Sequence, residues 1–440
     1  MPRAISGGYL KKSFRPSKCL RAEKRSRLKR HKEVYDMDND RRRYAGEYGS
    51  YGRTEKSSDK QKKKKKAGRV VGKVFGRIGI VLLTFILLLV VTIVGVLMVL
   101  YYGPSPSARD RFVLTVTETS AGGFLATWFL PKSTINEIRA ANQIIETDEI
   151  TDVGLINIPG SSTKKGTDPE HPSDPGTPED DHGQSGTETE YDINKIELID
   201  IVGKTYRGKL LIVNNPKRVF IGTPPAYGED KKGVSTINMV RDANALWGIN
   251  GGGFYDTGNG NGGVPTGRDN SDGIVISRGT LRWGSRRQTY EIIGINKEGI
   301  LVLGKMTGQE ALDRGIVEAL NFGPYLIVNG EPCAVQGFSE SSLNPRSVIG
   351  QRGDGAMMLL TIDGRQPTSI GASYEDLIEI MMNYGAVNAA NLDGGSSTYM
   401  VQNEEDRNDP KIITQTASLY GPRRMATAIL VARVEDTPED

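Results

Sequence analysis

From Ile78 to Tyr102 the chain reads IGIVLLTFILLLVVTIVGVLMVLYY, 25 consecutive positions with no charged residue and no polar stripe. As a helix these residues extend roughly 37 Å, enough to cross a hydrocarbon core of about 30 Å with some tilt. The pattern predicts one transmembrane helix over 78–102. A cleaved signal peptide fits less well, because the apolar run and the 77-residue leader before it are long and no small-x-small site follows. Beyond the span, Arg111–Asn142 reads as a short extended segment, a turn and a short helix from about Ser133, and 103–159 as a juxtamembrane stalk. Apolar positions then thin out over 160–190, where Ser, Thr, Pro, Gly, Asp and Glu crowd together. Such a composition cannot bury a core and predicts a disordered, flexible linker.

From Tyr191 the pattern changes to short apolar runs that predict strands at Lys209–Val213, Val219–Ile221, Ala245–Asn250, Gly273–Ser277, Tyr290–Ile295, Leu301–Leu303, Tyr325–Val328, Ala356–Ile362, Val387–Asn391 and Ala426–Val434. The clearest helix is Tyr374–Tyr384: Ser373 caps it, Asp376 answers three residues on, Leu377, Ile380 and Met381 share a face, and Gly385 stops it. Asn238–Asn244 and Gly308–Arg314 are weaker helices. Strands outnumber helices and do not alternate with them. The expected fold is therefore α+β, with mixed or antiparallel sheets and a few packed helices, over 191–434, followed by a short tail at 435–440. Its 244 residues suffice for one large core.

Charge orients this layout. Residues 1–77 carry 26 Lys+Arg against 8 Asp+Glu, whereas everything after the span carries 31 against 45. The basic cluster just before the span, Lys62–Lys66 with Arg69, Lys73 and Arg77, predicts a cytoplasmic N-terminus and an extracytoplasmic C-terminal domain. The basic tail, mostly disordered, suits contact with anionic lipid better than nucleic acid, since it has few interleaved aromatics and no recognisable fold. Cys19 and Cys333 fall on opposite sides of the membrane and cannot bond to each other.

The domain contains no histidine and one cysteine, which removes a Ser-His-Asp triad, a Cys-His pair and a His-ligated zinc site. Ser396 and Ser397 lack both a base and the G-x-S-x-G spacing of a nucleophile elbow, and no Lys-Ser/Thr pair follows the glycines to make a phosphate loop. What remains is carboxylate, arginine, amide, tyrosine and backbone N–H. Four stretches gather these at predicted strand ends: INGGGFYD (249–256), NPRSVIGQ (344–351), LLTIDGRQ (359–366) and NLDGGSSTYM (391–400). Taken singly, Asp363-Gly364 and Asp393-Gly394 are ordinary turn dipeptides, NGGGF could be a bulge and Arg346 a surface residue. Together in one histidine-free domain they suggest a site.

With the late GPRRMATAILV (421–431), these blocks occur in an order that resembles the phosphodiester glycosidases, over about 191–434. The resemblance implies hydrolysis of a sugar–phosphate bond at the anomeric carbon. A departing phosphate, with a second pKa near about 6, leaves far more readily than an alcohol and needs less acid assistance. The expected catalytic residues are Asp393, Asp256, Asp363 and Arg346; Asn250, Gly252, Gly394, Gly395 and Ser396 are the expected substrate-binding residues. Relatives often have a third glycine where this chain has Ser396. No cofactor is required, although carboxylate oxygens would suit a divalent cation such as Mg²⁺ or Ca²⁺. The expectation is a single-pass membrane enzyme acting on a glycan-phosphate, exopolysaccharide or teichoic-acid-like envelope polymer. A non-catalytic envelope glycan-binding protein and an Asp-metal phosphodiesterase cutting the P–O bond stand as alternatives.

Overall fold

The computed structural model describes residues 55–117, 122–142, 144–159, 191–255, 261–268, 271–337, 343–418 and 421–437, with side chains from Lys73 onward. The basic tail up to residue 54, the 160–190 linker and Asp256 lie outside the described residues. The chain divides into two units, Met1–Gly95 and Val96–Asp440.

The first unit is helical where it is described. Its helix, Glu55–Tyr102, runs on into the second unit, and its Lys73–Tyr102 portion is the one described stretch long and apolar enough to cross a membrane. Mean hydropathy there reaches 3.2 and the apolar side chains point outward rather than into a core.

The second unit starts with three short helices, Pro106–Thr117, Gly123–Thr127 and Lys132–Ala141. The last matches the helix expected from about Ser133. The first replaces the expected extended segment. Its β-branched residues read locally as strand, but Pro106 is pre-set for the first turn of a helix, and the helix buries Val113, Leu114 and Val116. These pack with Tyr101, Leu130, Ile135 and Ile138 in a small core of their own, and that tertiary gain outweighs a weak local preference.

Residues 144–158, within the segment read as a stalk, pack against the following domain. Ile144 and Ile145 pair with Val335 and Ala334. Glu146 accepts the Tyr325 N–H at 2.8 Å. Thr151 hydrogen-bonds both ways with Leu303, its N–H to the Leu303 carbonyl at 3.0 Å and its Oγ1 accepting the Leu303 N–H at 2.9 Å. Asp152 N–H donates to Asn329 at 2.7 Å and Asn157 N–H to the Gly353 carbonyl at 2.8 Å. Composition alone gave no sign of this, because the segment is short and its apolar residues are widely spaced.

The domain is built on three sheets, and every strand pairing among the described residues is antiparallel. The seven-stranded sheet runs Glu331–Pro332, Tyr325–Val328, Ala386–Asn391, Arg346–Arg352, Met357–Ile362, Arg207–Val213 and Ile196–Val202 in spatial order. One five-stranded sheet runs Lys411–Ile412, Met400–Gln402, Trp247–Asn250, Ala428–Val431 and Val219–Gly222. The other runs Leu301–Thr307, Thr289–Asn296, Ile316–Asn321, Val275–Ser277 and Thr280–Trp283. Central strands such as Met357–Ile362 are buried throughout, which is why they read as continuous apolar runs instead of alternating ones. The helix Tyr374–Asn383 has the expected reciprocal cap: Ser373 Oγ accepts the Asp376 N–H at 3.1 Å and the Asp376 carboxylate accepts the Ser373 N–H at 2.8 Å. Its Met381 lies where a side chain on Gly350 would have to go. Glu318 ties the two five-stranded sheets, accepting the Ile221 N–H at 2.9 Å and the Arg278 N–H at 2.8 Å. Burial pushes its carboxyl up to about 7.

Candidate active site

The loop 392–399 is the connection between two sheets. It leaves the seven-stranded sheet at Asn391 and enters a five-stranded sheet at Met400. Each strand that ends beside it contributes a buried polar side chain: Asn250, Ser347, Asn391, Thr398 and Thr427 are all at most 2% exposed. Buried polar groups require partners, and here most find one in each other or in the main chain of the loop, while Asn391 Oδ1 has none among the described residues. Ser347 Oγ donates to Asn250 Oδ1, and Asn250 Nδ2 donates to the Asp393 carbonyl. Asn391 Nδ2 donates to the Gly323 carbonyl at 2.8 Å, and Thr427 Oγ1 accepts the Gly252 N–H at 3.0 Å. The Asp393 N–H donates to the Gly251 carbonyl at 3.1 Å. The main chain of Asp393 is thus held on both sides by the NGGG stretch, while its side chain is turned to the loop's own surface.

Asp393 is half-buried, and its carboxylate accepts the Gly394 N–H at 2.9 Å. Burial pushes its pKa up, against a Ser397 hydrogen bond, the positive charge of Arg423, the Gly394 N–H and the charge of Arg365. Two arginines thus contribute positive charge to its surroundings. Arg423 reaches both loop serines, donating to Ser396 Oγ and Ser397 Oγ at 3.3 Å, and lies over the Phe254 ring at 4.7 Å from its centre. Arg365 donates to Asn344 Oδ1 at 3.1 Å and passes against Gly395, where an added Cβ would stand 3.2 Å from its guanidinium. Gly395 also has φ +63°, a left-handed conformation that side chains disfavour. At Gly394 a Cβ would come within 2.8 Å of the Pro345 carbonyl, and at Gly252 within 2.9 Å of the Asn321 carbonyl. Close main-chain approach is the function of all three.

The structure places the remaining expected residues differently. One Asp363 oxygen accepts the Gln415 N–H at 3.0 Å, and burial pushes the group up to about 6. Its carbonyl accepts the Ser369 hydroxyl at 2.6 Å. Asp363 fastens the turn that delivers Arg365. Arg346 is buried on the face of its strand opposite Ser347, since successive side chains alternate. There it stacks on Tyr374, 4.2 Å from the ring centre, and donates to the Tyr374 hydroxyl at 3.1 Å. Asp256 lies outside the described residues. Arg365 and Arg423, absent from the sequence-based candidates, sit within two of the quoted blocks, IDGR and GPRR. Only the fold brings the charges of both into the surroundings of one carboxylate.

Among the described residues no three His, Cys, Asp or Glu side chains come together as metal ligands. Two cavities of about 490 and 530 Å³ lie at the other end of the same five-stranded sheet, around Trp247, Gln402 and Glu405. The arginines there are engaged by main-chain carbonyls, Arg218 by Ala432 and Asn194, and Arg433 by Asn244, Glu404 and Glu405.

Residues 243–432 match the phosphodiester glycosidase family. Over 164 residues the chain is 27% identical to the bovine N-acetylglucosamine-1-phosphodiester alpha-N-acetylglucosaminidase, covering 33% of this chain and 31% of that one. Over 90 residues it is 34% identical to an uncharacterized SPbeta prophage-derived protein of Bacillus subtilis, covering 20% of this chain and 14% of the other. The chain thus spans less than a third of the length of either relative. Among solved structures it is similar to the catalytic domain of the zebrafish N-acetylglucosamine-1-phosphodiester alpha-N-acetylglucosaminidase, auto-inhibited by its pro-peptide. The TM-score is 0.43 and the identity 20%, over 56% of this chain and 85% of that one.

Proposed function

Starting from residues 243–432 as a phosphodiester glycosidase domain, we propose that the chain is a membrane-anchored, extracytoplasmic enzyme that hydrolyses a sugar-1-phosphodiester. The substrate class is a glycan-phosphate or related envelope polymer. The observation that supports the reading is one loop, 393–397, on which the Asp393 carboxylate, the Arg423 contacts to Ser396 and Ser397 and the Arg365 guanidinium beside Gly395 come together.

In this reading water attacks the anomeric carbon, the carbon–oxygen bond to phosphate breaks, and its electron pair leaves on the phosphate oxygen. Arg365 and Arg423 lie where they can neutralise the phosphate as its charge grows, the role that positioned guanidinium groups serve well. Asp393 faces the cationic anomeric carbon and receives the proton of the attacking water. Ser396, already oriented by Arg423, binds a phosphate oxygen, while the buried Ser397 hydrogen-bonds Asp393. Asn250 holds Asp393 through its carbonyl and stays beneath the substrate. The anchor is the Lys73–Tyr102 helix, and the basic residues before it support a cytoplasmic N-terminus.

The test is turnover of a sugar-1-phosphodiester panel by the full chain and by Asp393→Asn and Arg423→Ala. Each substitution is expected to lower kcat by about 10²–10³ with an unchanged unfolding midpoint. Wild-type turnover in both variants would remove the assignment. Reaction in heavy-oxygen water should label the sugar; label in the phosphate would instead favour P–O cleavage.

A further inference from the structure

Residues 122–131 are not used by the glycosidase reading, yet they are held in place with some care. Tyr101, at the end of the apolar helix, stacks on Phe129 at 4.9 Å between ring centres and meets Phe112 edge-on at 5.7 Å. Its hydroxyl donates to the Leu125 carbonyl at 2.7 Å, and the neighbouring Tyr102 hydroxyl donates to the Phe129 carbonyl. The short helix Gly123–Thr127 is therefore fixed beside the last turn of the apolar helix. Leu130 and Ala126 turn into the small core, while Phe124 and Trp128 turn out. These two rings touch, 4.8 Å apart and tilted by 64°. They are 46% and 75% exposed. Nothing in the small core requires a tryptophan there.

The position of the pair decides its partner. It lies on the segment bonded to Tyr101 and Tyr102, the last two residues of the apolar helix, beside the exposed apolar Met98 and Val99 of the same helix end. An indole, apolar in its body and with one N–H to donate, suits the boundary between headgroups and acyl chains. We propose that Phe124 and Trp128 insert into that boundary of the bilayer, making the membrane contact a span plus a short interfacial helix. This rests on the reading of Lys73–Tyr102 as a membrane span. With the following helix starting at Lys132, the pair would fix the depth and rotation at which the chain leaves the membrane.

The full chain reconstituted in phosphatidylcholine vesicles tests this, with lipids brominated near the headgroup end of the acyl chain as quencher. Trp128→Phe identifies the Trp128 contribution against Trp247 and Trp283. The expected result is that the emission lost in the variant is the component that brominated lipid quenches. Equal quenching of the two proteins, with both floating with the vesicles, would overturn the proposal and leave the span reading intact. If the full chain does not float with vesicles once detergent is removed, the span reading fails and the proposal with it.

Discussion

Asp363 and Asp393 show how differently two Asp-Gly turns can be employed. Each follows a buried strand, and each carboxylate is pushed upward by burial. Asp393 keeps its carboxylate among Arg423, Arg365 and Ser397, whereas Asp363 gives an oxygen to the Gln415 N–H. We expect Asp363→Asn, which retains that acceptor oxygen, to preserve turnover. Its effect should appear in the pH dependence of stability. The folded chain holds the Asp363 proton up to about pH 6, against an ordinary value of 3.8. The stabilisation is therefore complete below the lower value and is lost as pH rises through the higher one. Allowing for screening at this partly exposed position, the loss is on the order of 1–2 kcal/mol. Urea unfolding at a series of pH values should show the wild type losing this increment while Asp363→Asn does not. Parallel curves would mean that the carboxylate titrates normally. Asp393 itself was legible in the sequence, because it follows a buried strand in a domain without histidine. The two arginines were not, since nothing in the spacing of residues 365, 393 and 423 shows that their charges reach one carboxylate.

The helix Tyr374–Asn383 links a cap to a buried cation. Ser373 fixes its first turn, and Tyr374, the next residue, carries Arg346 against its ring. Ser373→Ala should cost about 1 kcal/mol of stability. Because Arg346 and Tyr374 lie on the strand face opposite Ser347, kcat of the folded protein should be unchanged. Denaturation midpoints measured beside kcat check this, and a fall in kcat beyond the loss of folded protein would tie Ser373 and Tyr374 to the site. This helix could be read residue by residue because its cap, apolar face and glycine stop agree. The strand Arg346–Arg352 could not. Its seven residues mix Arg, Ser, Gly and Gln with two apolar positions, and it is a strand because its neighbours on both sides pair with it. Ile196–Val202 and Ile316–Asn321 escaped notice for a related reason, each breaking its apolar run with acidic or amide residues. Pro106–Thr117 is the opposite case, a helix whose valines favour strand locally but pack into a core with Tyr101.

For the whole molecule, the docking of residues 144–158 changes what the long polar segment can do. A linker between a stalk and a domain would act as a leash, its length setting how far the domain travels. Here the chain enters the domain at Ile144, leaves near 159 and returns as the Ile196–Val202 strand beside Arg207–Val213. The residues on both sides of 160–190 thus belong to one body, and lengthening that segment would extend no reach, at a modest loop-closure cost. Severing them should not free the domain either. With a specific protease site placed within 165–185, the cut C-terminal fragment is expected to stay with the membrane fraction until denaturant is added, and its appearance in the soluble fraction would show that the 144–158 contacts are too weak to hold. On the membrane-anchored reading, the residues that precede Ile144, rather than the length of the 160–190 segment, govern the reach of the domain from the bilayer.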